Sequence, residues 1–130
     1  MESMGQKTVL VDSSSPVQIA MKFQGIARYS AATYEPVEGA DDKWKQVRVL
    51  EDDGDSTDAR PDVFQFDPPA RGKQLLFFFD ARLTAAVVPA DVSATAVVAQ
   101  GRAPLDEVKE TGHVETTFTE LVVRVLLEGK

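Results

Sequence analysis

The chain has 130 residues, enough for one domain with a core of its own, and no cysteine, which excludes disulfides, thiolate metal sites and a cysteine nucleophile. Its formal charge of −7 opposes binding to nucleic acid or anionic membranes, where affinity comes from Lys and Arg displacing counterions. No apolar run approaches the roughly 20 residues of a membrane helix, and Met1–Leu10 lacks the basic and apolar regions of a secretory signal, so no membrane insertion and a cytoplasmic location are the default expectations.

Met1–Lys7 carries no pattern and reads as a frayed start. Thr8–Val11 is a short strand candidate, closed by the turn composition Asp12-Ser13-Ser14-Ser15-Pro16. Val17–Tyr34 alternates with period two. Val17, Ile19, Met21, Phe23, Ala27 and Tyr29 share one face, while Gln18, Lys22, Gln24, Arg28 and Ser30 share the other. Gly25 interrupts the apolar face and marks a bulge, a bend or a change of sheet.

Residues 35–42 contain Pro36, Gly39 and four acids, and read as a loop. Lys43–Glu51 is a strand, and residues 52–62 form a second polar loop. The segment between Glu35 and Asp62 holds ten of the twenty-one acidic residues against four basic ones. Val63-Phe64-Gln65-Phe66 is a short strand ended by Pro68-Pro69.

Lys73–Val88 carries the strongest pattern in the chain. Leu75, Phe77, Phe79, Ala81, Leu83, Ala85 and Val87 form a continuous apolar face. The opposite face is apolar at Leu76, Phe78, Ala86 and Val88, and polar between them at Asp80, Arg82 and Thr84. A helix cannot gather all three phenylalanines into one stripe without including Asp80 or Arg82, so the segment reads as a central strand.

Val92–Gln100 is a strand rich in Ala and Val. Residues 104–111 are the one helix candidate, with Pro104 at a first helical position and Gly112 just past the end. His113–Glu128 is a last long strand with Leu121, Val123, Val125 and Leu127 on one face.

Many strands, turn signals between them and at most one short helix predict an all-β fold. We expect a single domain spanning 1–130, an antiparallel β-sandwich of seven or eight strands, for which a jelly roll is one arrangement. Its expected core is Phe77, Phe79, Leu83, Val87, Ile19, Met21, Phe23, Val97, Leu121, Val123 and Val125. Three segments of about fifteen residues would each span about 50 Å if extended, so they must bend, switch sheets or project as hairpins.

Chemistry is sparse. His113 is the only histidine, and there is no G-x-S-x-G, H-E-x-x-H or glycine-rich phosphate loop, so no catalytic residue is assigned. Asp53, Asp55 and Asp58 around Gly54 could give some of the six to eight oxygens calcium takes, but the EF-hand order and its distal Glu are missing. A solvated acidic loop is the plainer reading. Trp44, between Lys43 and Lys45 at the mouth of an acidic loop, is a candidate contact for a ligand or partner. Asp80, inside the central strand, calls for a cross-strand cation, with Arg82, Arg124 and Lys22 available.

The sequence therefore points first to a non-enzymatic protein-interaction or assembly module. Its partner is another protein or a second copy of the chain, joined through sheet faces or edges. A carbohydrate- or calcium-binding sandwich using loops 35–42 and 52–62 is the alternative, and a carboxylate-based hydrolase comes third.

Overall fold

A computed structural model describes the backbone of residues 2–39, 43–52, 56–57 and 61–130, and the side chains of 6–39, 43–50 and 61–130. In chain order the strands are β1 (Glu2–Val11), β2 (Val17–Gln24), β3 (Ile26–Pro36), β4 (Trp44–Asp52), β5 (Ser56–Thr57), β6 (Asp62–Phe66), β7 (Gln74–Thr84), β8 (Ala90–Gln100), β9 (Ala103–Val114) and β10 (Thr119–Gly129). They form a β-sandwich. The large sheet runs β1-β10-β7-β3-β4, with β5 paired to the start of β3, and the small sheet runs β6-β2-β8-β9. The pairings between strands are antiparallel except β1 with β10, which is parallel.

The apolar faces read from the period-two pattern meet between the sheets. Phe77, Phe79 and Leu83 of β7 and Leu121, Val123 and Val125 of β10 face Ile19, Met21 and Phe23 of β2, and all are buried. Aromatic rings fill the centre. Phe79 lies 4.6 Å from Tyr29 and 5.7 Å from Phe23, and Phe77 lies 5.7 Å from Phe64. Tyr29 keeps its polar tip satisfied by donating from its hydroxyl to Asp62 Oδ2 at 2.9 Å, so a large-sheet residue is tied to the first residue of β6 in the small sheet.

Each over-long segment resolves by switching sheets. At Gly25, φ is 120°, a conformation that L side chains rarely adopt. A Cβ there would lie 2.8 Å from the Thr84 carbonyl oxygen and 2.9 Å from Val92 Cγ1. Only glycine lets β2 leave one sheet and β3 enter the other within a single residue. The segment 73–88 likewise ends as a strand at Thr84, and residues 85–89 carry the chain across to β8. Val87, expected in the core, is therefore 77% exposed, because the alternation stops where the chain leaves the sheet.

Further expectations are corrected. The start is ordered into β1 from Glu2 onward, paired along β10. Residues 104–111 are not helical. They belong to β9, which pairs with β8 through the two-residue loop Gly101-Arg102, with Gly101 at φ 63°. Eleven residues of β8 offer β9 a full ladder, and one or two turns of helix cannot compete with it. Pro104 is tolerated because β9 is an edge strand and the ladder shifts register there. The predicted strand His113–Glu128 is two strands, since β9 ends at Val114 and residues 115–118 cross to β10. Val97 is not in the core. Ala94, Ala96 and Val98 face inward, and Val97 sits opposite Ala20 on the outer face.

The C-terminus is locked. Gly129 donates to the Lys73 carbonyl and accepts from Gly72, each at 3.0 Å, and Lys130 donates to the Val11 carbonyl at 3.0 Å. A Cβ at Gly129 would overlap the Ala70 carbonyl, so the loop containing Pro68 and Pro69 closes onto bare backbone.

Candidate interaction surface

The two faces of β7 differ as its sequence does. Across the outer face of the large sheet, register aligns side chains in rows. One row runs Thr8, Leu126, Leu76, Tyr34 and Gln46, and the next runs Gln6, Arg124, Phe78, Ala32 and Val49. A third holds Glu120, Arg82 and Arg28. The first two rows form an apolar belt, and the third is charged.

Within the belt, Leu76, Phe78 and Leu126 are half-buried without a covering layer from the described residues. The Arg124 guanidinium lies 5.2 Å from the Phe78 ring centroid, and Tyr34 meets that ring edge-on at 6.1 Å. Arg124 thus covers an aromatic face with its own cation. Its Nε is buried and has no hydrogen-bond acceptor among the described residues. The belt reaches water at its β4 margin, where Val49 is 58% exposed.

In the charged row, Arg82 Nε lies 3.5 Å from Glu120 Oε1, and its guanidinium sits 4.9 Å from the Phe118 ring centroid. Arg82, Arg28, Ile26, Thr84 and Phe118 line a shallow depression of about 170 Å³. Asp80 lies one row away, opposite Ser30 and Val122, and shares a surface depression with Arg28, Arg82 and Glu120.

Two polar clusters lie elsewhere. On the open side of the sandwich, where β1 and β9 are the edges of their sheets, Lys7 Nζ donates to Asp106 Oδ1 at 2.9 Å and to the Glu107 carbonyl at 3.1 Å. The Lys7 hydrogen bond, with a second from the Glu107 backbone N–H, holds the Asp106 carboxyl below its usual pKa. The cleft beside this tie measures about 730 Å³.

At the far end of β9, His113 stands between Asp91 Oδ1 at its Nδ1 and Glu115 Oε1 at its Nε2, both at 2.9 Å. The hydrogen bond to Asp91 raises the imidazole pKa first of all. Desolvation opposes it, and the charges of Glu115 and Asp91 add to it. When the ring is protonated, both nitrogens can donate to these carboxylates. The cluster acts as a clasp joining β8, β9 and the crossing to β10.

Of the predicted site residues, Trp44 alone is described. Asp53, Asp55 and Asp58 lie outside the described residues. Trp44 is half-buried at the start of β4, opposite Pro36, where the Val37 N–H donates to the Lys43 carbonyl at 2.8 Å and narrows the hairpin. Among the described residues, no group of three or more His, Asp or Glu is placed to hold a metal ion. The Lys7–Asp106 tie spans 99 positions and leaves no sequence signal. His113 and Asp91 are register partners in the β8–β9 hairpin, a pairing hidden once residues 104–111 are read as helix.

Comparisons of the chain with protein-family models, with curated proteins and with solved structures found no match.

Proposed function

We propose that this chain is a non-enzymatic assembly module that associates with further copies of itself through its large sheet. The observation that carries this reading is the apolar belt, which crosses the sheet from β10 to β4 and ends in water at Val49. An apolar row that stops at an exposed sheet margin is stabilised by continuing into another molecule, and symmetric self-association is the commonest way of supplying one. The polar clusters favour this over an enzyme. Both nitrogens of the histidine face carboxylates at the surface, and the Lys7 amine is taken up by Asp106 and a carbonyl.

Light scattering coupled to size exclusion tests the reading. The expected mass rises with concentration from 14.2 kDa towards a small multiple of it. A mass that stays at the single-chain value up to high micromolar concentration rules the reading out.

A further inference from the structure

The chain leaves β9 at Val114 and enters β10 at Thr119, so residues 115–118 carry it from the small sheet to the large one. Among the described residues no backbone hydrogen bond forms within this crossing, and Thr116 and Thr117 are exposed. Side chains hold it at its two ends. At the start, Glu115 Oε1 meets His113 Nε2 at 2.9 Å. At the end, the Phe118 ring centroid lies 4.9 Å from the guanidinium of Arg82, which stands in the charged row of the large sheet. With Ile26, Arg28, Arg82 and Thr84, Phe118 shapes the depression of about 170 Å³.

The two carboxylates on His113 differ in how they are held. Asp91 is the register partner of His113, so backbone pairing between β8 and β9 fixes it opposite the ring. Glu115 stands just beyond the end of β9, outside the ladder. A protonated imidazole donates to both carboxylates, whereas a neutral one keeps a single proton. With that proton on Nδ1, facing Asp91, Nε2 turns a lone pair towards Glu115. Two acceptors then face each other with no proton between them, and the carboxylate outside the ladder is the one that moves away. Asp91 and Glu115 are the charged groups that act on the ring. Among the described residues lining the hollow beside it, Lys109 of β9 is the other charged one, while Gln24 of β2, Ser93 of β8 and Thr111 of β9 are neutral. From β10, the neutral Thr119 and Leu121 lie against Gly112.

We infer that His113 is a pH-dependent latch on the crossing: the protonated ring pins Glu115 and with it residues 115–118, and the neutral ring releases them and loosens Phe118 from Arg82. The latch is closed at low pH and opens as pH rises through the folded-state pKa of His113, which is raised from the ordinary 6.5. Its three side chains are between 48% and 85% exposed, so protonation biases the crossing by no more than about fivefold. All the groups involved belong to one chain, so the latch works in a single copy as in an assembly.

NMR titration of the full chain between about pH 5 and pH 9 tests this, in the native protein and in Glu115→Gln. It follows the imidazole, the Phe118 ring and the side chain of Arg82. In the native chain, the Phe118 ring signals should move with the midpoint of the imidazole, and the ring-current shift that Phe118 imposes on Arg82 should weaken above that midpoint. The Arg82 signal separates movement of the crossing from the mere nearness of a titrating charge. In Glu115→Gln the new amide can accept from the charged ring and donate to the neutral one, so the bond survives in both states. The imidazole should still titrate there, with the Arg82 shift constant. An Arg82 shift that stays constant in the native chain while the imidazole titrates overturns the latch, and so does one that weakens to the same extent in Glu115→Gln.

Discussion

At the residue scale, two positions carry the sharpest expectations. Gly25 is held at φ 120° with the Thr84 carbonyl and Val92 against its open side. Gly25→Ala combines a strained backbone with a clash, and should lower folding stability by roughly 1–3 kcal/mol in chemical denaturation. His113 has a raised pKa, so the sign of its linkage is fixed. Its stabilising contribution is fully present below the unfolded value of 6.5 and is lost as pH rises through the folded pKa. A proton NMR titration of the single imidazole should give a midpoint above 6.5, and Asp91→Asn should move it down. A midpoint at or below 6.5 in the native chain would mean the clasp does not form. In the core, Phe79 packs against Phe23, Tyr29 and Phe64 with no exposure, and Phe79→Ala should destabilise by about 3–5 kcal/mol.

At the scale of elements, β9 shows what sequence patterns can and cannot supply. Pro104 and Gly112 carry the marks of helix ends, yet the segment is an edge strand with Val108 and Val114 buried and Leu105 exposed. Leu105 and Val108 are three apart, so a helix would put them on one face and make their substitutions alike. The strand predicts a difference that thermal denaturation can measure. Val108→Asp should remove most of the stability, whereas Leu105→Asp should shift the melting temperature by only a few degrees at most. Legibility follows contrast. In β2 and β7 large apolar residues alternate with polar ones, so their inward faces are unambiguous. In β8 the run Ala94-Thr95-Ala96-Val97-Val98-Ala99 has almost no contrast, and the parity of Val97 and Val98 cannot be read from it. Parity also resets wherever the chain changes sheet, which is why Val87 is exposed.

At the scale of the whole molecule, period two told which faces are apolar but not which strands are neighbours. The parallel β1–β10 pair and the Lys7 tie join distant positions, and only the fold brings them together. The apolar outer face of β7 was legible at Leu76 and Phe78, while its margin at Val49 became visible only once β4 was placed last in the sheet. Amide hydrogen exchange along β4, followed from low to high micromolar concentration, tests the assembly most directly. Pairing with a second copy predicts that amides on the outer side of β4 gain protection as concentration rises, while those of β6, an edge strand of the other sheet, do not change. Exchange in β4 that is fast and independent of concentration would contradict it.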